Sequence, residues 1–212
     1  ASFGEAEAIG RALGDDVLVH TALGNRGAAL RAANRFEEAL AAMAEEEAIV
    51  RRLDDLAGLQ SCIGNQGLVY GDRRDYDRAA ERFAEQERIA RQLGDPTLIN
   101  RALAAQARVL ADRGDPETAL VLLGRQEAEC REHGDLAGLA PNLASRASVL
   151  LFEGRLDEAD AALVESIGLA RRLSAESVEA MALAQRATIA HLRGDRVGAV
   201  ALLDEQAPLL DA

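Results

Sequence analysis

Residues able to do chemistry are few in this chain, and their spacing favours recognition over catalysis. His20, His133 and His191 stand alone, with no cysteine or second histidine at metal-ligand spacing. Cys62 and Cys130 fit no metal-binding pattern and are expected to be two buried thiols. Glu45-Glu46-Glu47 and the pair Glu85 and Glu87 place carboxylates side by side, the raw material of general acid–base work. With no accompanying site motif they are read as a solvated helix face or as polar contacts between helices. No serine or cysteine occupies a nucleophile-elbow context. All 24 basic residues are arginine, and the absence of lysine removes a P-loop, a Schiff base and a Ser-Lys nucleophile together. Arg101 and Arg108 lie seven residues apart, on one face of a helix, where they could take a carboxylate. An ordinary i,i+4 pair of Arg108 with Asp112 is the competing assignment. The expectation is a protein without catalytic residues, cofactor or metal.

The elements that position these residues follow from one five-residue stretch. Leu23-Gly24-Asn25-Arg26-Gly27 recurs as Ile63-Gly64-Asn65-Gln66-Gly67, Leu103-Ala104-Ala105-Gln106-Ala107, Leu143-Ala144-Ser145-Arg146-Ala147 and Leu183-Ala184-Gln185-Arg186-Ala187. The period is 40 residues without one insertion, the mark of stacked supersecondary units. Each unit carries two apolar stripes at helical spacing, such as Leu56, Leu59, Ile63, Gly67 and Tyr70, then Tyr76, Ala79, Ala80, Phe83, Ala90 and Leu93. Gly71-Asp72-Arg73-Arg74-Asp75 is the polar break between them. In Gly94-Asp95-Pro96 and Gly114-Asp115-Pro116, glycine ends one helix, aspartate caps the next and proline opens its first turn. The expected repeats are 16–53, 56–93, 96–133, 136–173 and 176–212, preceded by the second helix of a partial repeat at 1–14. Pro141 should kink its helix or delay the start. Ala207-Pro208-Leu209-Leu210 is apolar where a terminal cap should be polar, so both ends look uncapped. The chain is thus expected to be a segment of a longer protein, open to self-association through its ends.

Composition narrows the partner. The net charge of −12 argues against a nucleic-acid surface. Apolar runs are interrupted by charge before the roughly 20 residues a membrane span needs, and no signal segment opens the chain. A cytoplasmic location is expected, and arginine and alanine enrichment without lysine suits a GC-rich bacterial genome.

Arg35-Phe36-Glu37-Glu38-Ala39-Leu40, Asp75-Tyr76-Asp77-Arg78-Ala79-Ala80 and Arg155-Leu156-Asp157-Glu158-Ala159 resemble the turn-and-helix signature of tetratricopeptide repeats. The small position of that family matches Gly27, Gly67, Ala107, Ala147 and Ala187, and its aromatic position matches Met43, Phe83, Leu123, Leu163 and Leu203. The resemblance recurs five times and implies an all-α, right-handed superhelical solenoid of antiparallel helix pairs, in a long-helix version of 40 rather than 34 residues. HEAT-like helix pairs are the alternative.

The resemblance also implies a function, recognition of a protein or extended peptide in a concave groove lined by first helices. Carried over position by position, that groove holds Thr21, Asn25 and Ala28, then Ser61, Asn65, Leu68 and Asp72, then Arg101, Arg108 and Asp112. Ser145, Ser148 and Phe152, then Gln185, Thr188 and His191, complete it. Asn25 and Asn65 match the asparagines that hold a peptide backbone in relatives. The family usually has leucine at Arg26, Gln66, Gln106, Arg146 and Arg186, and alanine at Glu46, Gln86, Gln126, Ser166 and Gln206. These polar groups are expected to satisfy one another as a ladder between the two helices of each repeat, with snorkelling to solvent as the alternative. Arg146, opposite Ser166, must then look elsewhere. A second function carries equal architecture: a sensor or autoinhibitory module of a larger signalling protein, such as a repeat-bearing ATPase or transcription regulator.

Overall fold

The computed structural model describes residues 3–210. They form α1 (Phe3–Leu13), α2 (Asp16–Ala32), α3 (Phe36–Arg52), α4 (Leu56–Asp72), α5 (Tyr76–Leu93) and α6 (Pro96–Asp112). Then follow α7 (Pro116–His133), α8 (Leu136–Phe152), α9 (Leu156–Leu173), α10 (Glu176–Leu192), α11 (Arg196–Gln206) and a 3-10 turn, Ala207–Leu210. No strand occurs among the described residues. The break after α4 is shorter than its composition suggests, because Gly71 and Asp72 complete the helix.

One junction repeats every 20 residues, so the 40-residue period is two half-periods. Position 14 and each twentieth residue after it has positive φ: Gly14, Asn34, Asp54, Arg74, Gly94, Gly114, Gly134, Gly154, Ser174 and Gly194. The next residue donates its N–H to the carbonyl five positions back, as in Asp15 to Gly10, Asp75 to Tyr70 and Asp195 to Ala190, each 2.9 Å. That bond closes a Schellman motif. The same residue is the N-cap of the following helix, so no loop residue is spare. Asp15, Asp55, Asp135 and Asp195 cap with side-chain acceptors 2.8–3.0 Å from the backbone N–H three residues on. Arg35 and Arg155 stand at N-caps without capping and instead pair with Glu38 and Glu158 in the first turn.

Contacts divide the chain between Ala102 and Leu103 into two compact halves. In the N-terminal half α1 packs on α2, α2 on α3, α3 on α4 and α4 on α5. Its interior is built from Val19, Leu23, Ala42 and Ile49, then Ala39, Met43, Cys62 and Val69, then Val50, Leu59, Ile63 and Ile89. In the C-terminal half α7 packs on α8, α8 on α9, α9 on α10 and α10 on α11. Its largest cluster runs from Cys130 and Leu139 through Leu143, Leu150, Leu163 and Ile167 to Leu183 and Ile189.

The five-residue stretch now has a physical meaning at each position. Its first residue, Leu23, Ile63, Leu103, Leu143 or Leu183, is buried to 2% exposure or less. Its fifth is small because the second helix of the repeat brings a large side chain there. A Cβ on Gly67 would lie 2.7 Å from the Phe83 ring, and one on Gly27 would lie 2.9 Å from Met43. Alanine at 107 and 147 meets the smaller leucines Leu123 and Leu163 within the same clusters. Small against large sets the distance between paired helices.

Two local expectations need correction. Pro141 does not delay its helix: α8 begins at Leu136, capped by Asp135, and runs through the proline. The last helix is shorter than expected, ending at Gln206 and tightening to 3-10 geometry around Pro208. Leu209 is partly covered against the C-terminal cluster, whereas Leu210 is exposed.

Candidate functional site

In the N-terminal half, first helices α2 and α4 lie side by side and border an open cavity of about 430 Å³. The third residue of the stretch points into it from both helices, as Asn25 and Asn65, together with Thr21 and Ser61 one turn earlier. Asn25 is exposed and Asn65 half-buried. Their amides make no hydrogen bond to other described residues, so both keep a donor and an acceptor for a ligand. Glu46 reaches the cavity from α3. It is 6% exposed, and its Oε2 is buried without a hydrogen-bond partner among the described residues. Burial pushes the Glu46 carboxyl up to about 7, against a smaller opposing contribution from the Cys62 thiol. That thiol donates to the Met43 carbonyl at 3.2 Å, leaving Oε2 unpaired. Burial, and the Glu46 charge after it, push the Cys62 thiol well above its usual range.

The second residue of the stretch explains how Glu46 fits. A Cβ on Gly24 would lie 2.7 Å from Glu46 Oε1, and one on Gly64 would lie 2.1 Å from Gln86 Nε2. Glycine thus makes room for the long polar side chain of the paired helix, while Ala144 faces a repeat with the shorter Ser166. Gln86 donates to the Gln60 carbonyl at 3.3 Å and Ser166 to the Ala140 carbonyl at 2.7 Å. Gln126 donates to Cys130 Sγ at 3.5 Å.

The expected ladder within each repeat is therefore corrected. Its rungs join the first helix of one repeat to the second helix of the preceding one. Arg26 donates to Glu7 at 2.5 Å, Gln66 to Glu47 at 2.6 Å, and Arg146 to Glu127 at 3.0 Å, always 19 residues back. Arg186 finds Ile167 at that position and turns to Asp160 at 2.7 Å. Gln106 is half-buried on α6. Each glutamate is shared with an arginine one turn on: Glu7 with Arg11, Glu47 with Arg51 and Glu127 with Arg131. Those arginines continue to Glu45, Glu85 and Glu165 of the next second helix. The signal was present as Glu-x-x-x-Arg at 7, 47, 87 and 127.

In the C-terminal half a cavity of about 350 Å³ lies between α6 and α8. It gathers Arg108, Asp112, Ser145, Ser148 and Phe152, all read from the sequence as groove positions. Phe152 is 70% exposed there. Gln185 on α10 joins through its amide, which donates to Ser148 Oγ at 2.9 Å. The arginine pair does not form a carboxylate site. Arg101 donates to Gln60 Oε1 at 2.9 Å, and Arg108 pairs with Asp112 at 3.2 Å. Among the described residues no group of three metal-ligating side chains comes together, and no helix is long and apolar enough to cross a membrane. Both cysteines are buried and unpaired.

A fold of helix pairs with small-on-large contacts and grooves between first helices defines a helical-repeat protein. The tetratricopeptide repeat family model matches residues 100–125 and 180–205. No curated protein sequence matches the chain. Solved structures share the fold. The chain is similar to the apo form of RapI, at 13% identity and TM-score 0.66 over 92% of this chain and 54% of that one. It is also similar to the apo form of the quorum sensor NprR from B. thuringiensis, at 16% identity and TM-score 0.61 over 92% and 54%. Aspartyl phosphate phosphatase F from Bacillus subtilis gives 13% identity and TM-score 0.67 over 99% of this chain and 64% of that one. The chain thus spans about half the length of the first two relatives.

Proposed function

We propose that this chain is a non-catalytic scaffold that binds an extended peptide or protein segment along its first helices. One observation carries the reading: Asn25 and Asn65, from equivalent positions of consecutive repeats, face one cavity with their amides uncommitted. An amide that can both donate and accept suits the alternating carbonyls and N–H groups of an extended backbone. The net charge of −12 favours a basic partner by steering. The test is affinity capture from a lysate of the source organism, comparing the wild-type chain with an Asn25→Ala/Asn65→Ala variant. A partner retained by the first and lost by the second supports the groove. Equal capture by both contradicts it.

A second reading places the same groove in a sensor or autoinhibitory module of a larger signalling protein. It is favoured by the fold shared with NprR, a quorum sensor, over 54% of that chain. Under it the groove ligand controls a domain outside this sequence, and a truncation series of the longer protein would show ligand-dependent activity only with the repeats attached.

A further inference from the structure

The groove reading leaves one group without a role. Glu46 is 6% exposed at the floor of the α2–α4 cavity, with Oε2 unpaired. Its neighbours on α3 are engaged elsewhere, Glu45 with Arg11 and Glu47 with Arg51 and Gln66. On the α2 side only backbone lies against it, because residue 24 is glycine and a Cβ there would lie 2.7 Å from Oε1. The rim above it carries oxygen acceptors beside Ala28, Ala57 and the His20 ring. Thr21 Oγ1 spends its proton on the Val17 carbonyl at 2.8 Å and so presents lone pairs, and Ser61, Asn25 and Asn65 add theirs.

A buried carboxylate without a partner is costly, and the cost is relieved by a proton or by a cation. An ammonium group has three donors and no acceptor, which matches a carboxylate surrounded by hydroxyl and amide oxygens. Resting on the groove reading, we propose that Glu46 is the specificity-determining acceptor of this cavity and takes the ammonium group of the bound peptide. Lysine side chains and a free amino terminus both carry that chemistry. The partner is therefore a peptide that presents an ammonium between the two contact points at Asn25 and Asn65.

Binding an ammonium requires Glu46 ionised, so affinity must follow its charge. With the carboxyl near 7, the ionised fraction falls roughly tenfold from pH 8 to pH 6, and apparent affinity falls with it. The other titratable group lining the cavity is His20 on α2. The Cys62 thiol on α4 lies buried beside Glu46, and burial pushes it up so that it stays neutral. Measurements in a His20→Gln background remove the imidazole from the profile.

The experiment is an NMR titration of the chain with four capped or uncapped pentapeptides, following the Asn25 and Asn65 amides. The probes are acetyl-Ala-Ala-Lys-Ala-Ala-amide, its norleucine analogue, acetyl-pentaalanine amide, and pentaalanine amide with a free amino terminus. The lysine peptide should bind at least about fivefold tighter than the norleucine peptide at pH 8, and Glu46→Gln should erase that preference. At pH 6, where only about a tenth of Glu46 is ionised, the preference should fall close to onefold. Tighter binding of the uncapped alanine peptide, lost in Glu46→Gln, supports the same acceptor with the amino terminus as its ligand. Equal binding of all four at the asparagines overturns the role of Glu46 and leaves the groove standing. No response of the asparagine amides to any peptide overturns both. A thermal midpoint of Glu46→Gln no lower than that of the wild type separates a binding loss from misfolding.

Discussion

Position 46 and its equivalents show how one site in a repeat can be solved three ways. Glu46, Gln86 and Ser166 all press toward the small second residue of the facing stretch, but only Glu46 carries charge there. Gln86 and Ser166 each spend a donor on a carbonyl of the neighbouring first helix, an option a carboxylate lacks. The consequence is a pH-dependent stability. Protons bind Glu46 more tightly in the folded chain, at about 7, than in the unfolded chain, near 4.5. Stability from this residue is therefore full below pH about 4.5 and declines as pH rises through about 7. The loss reaches up to about 3 kcal/mol at pH 8, from the difference between the two values. Glu46→Gln should remove the decline and raise stability at pH 8, as read by urea unfolding at pH 5 and pH 8. An equal decline in the variant would place the pH dependence elsewhere. Sequence made the polarity of this position visible but misassigned its partner. Glu46 and Glu47 are adjacent, and one residue along a helix rotates the side chain by roughly 100°. Glu46 therefore turns to α2 of its own repeat, while Glu47 turns to Gln66 of the next.

Helices were legible because glycine, aspartate and proline mark several junctions openly. The 20-residue half-period was not, because Asn34, Asp54, Arg74 and Ser174 occupy the position that glycine holds elsewhere. Asparagine and aspartate tolerate the left-handed conformation through their short polar side chains, but Arg74 has no such relief. Its φ is 60° and its side chain is exposed, so the backbone strain is not offset by packing. Arg74→Gly should stabilise the chain by about 1 kcal/mol, less the entropy of the more flexible unfolded glycine. A rise of up to roughly 2 °C in the thermal midpoint is expected for a domain of this size. A lower midpoint would mean that Arg74 makes a compensating contact. The ion pairs linking successive second helices, such as Arg51 with Glu85 and Arg131 with Glu165, act at the same scale. Their arginines are about half exposed, so each pair adds little stability and its main effect is on register.

At the level of the whole molecule, repetition makes the account simple. The first, second and fifth motif positions go to packing, and the fourth reaches the preceding repeat in Arg26, Gln66, Arg146 and Arg186. The third position varies as Asn25, Asn65, Ala105, Ser145 and Gln185, and is uncommitted at Asn25 and Asn65 whereas Ser145 and Gln185 bond within the protein. Of the groove positions carried over from the family resemblance, Thr21, Asn25, Ala28, Ser61 and Asn65 line one cavity and Arg108, Asp112, Ser145, Ser148 and Phe152 another. The two arginines do not act together, since Arg101 is taken up by Gln60 and Arg108 by Asp112. Spacing shows that two arginines share a helix face, but not which neighbours across the helix contact will claim them.

Site-specific photo-crosslinking distinguishes the first helices, which we propose carry the binding surface, from the second helices. A benzophenone side chain would be placed at exposed groove positions Ala28 and Ser148, and in parallel at exposed second-helix positions Ala41 and Ala161. The account predicts that crosslinked partner from the source lysate forms at Ala28 or Ser148 and not at Ala41 or Ala161. Crosslinking at the second-helix positions alone would contradict it and move recognition to the opposite face of the repeats.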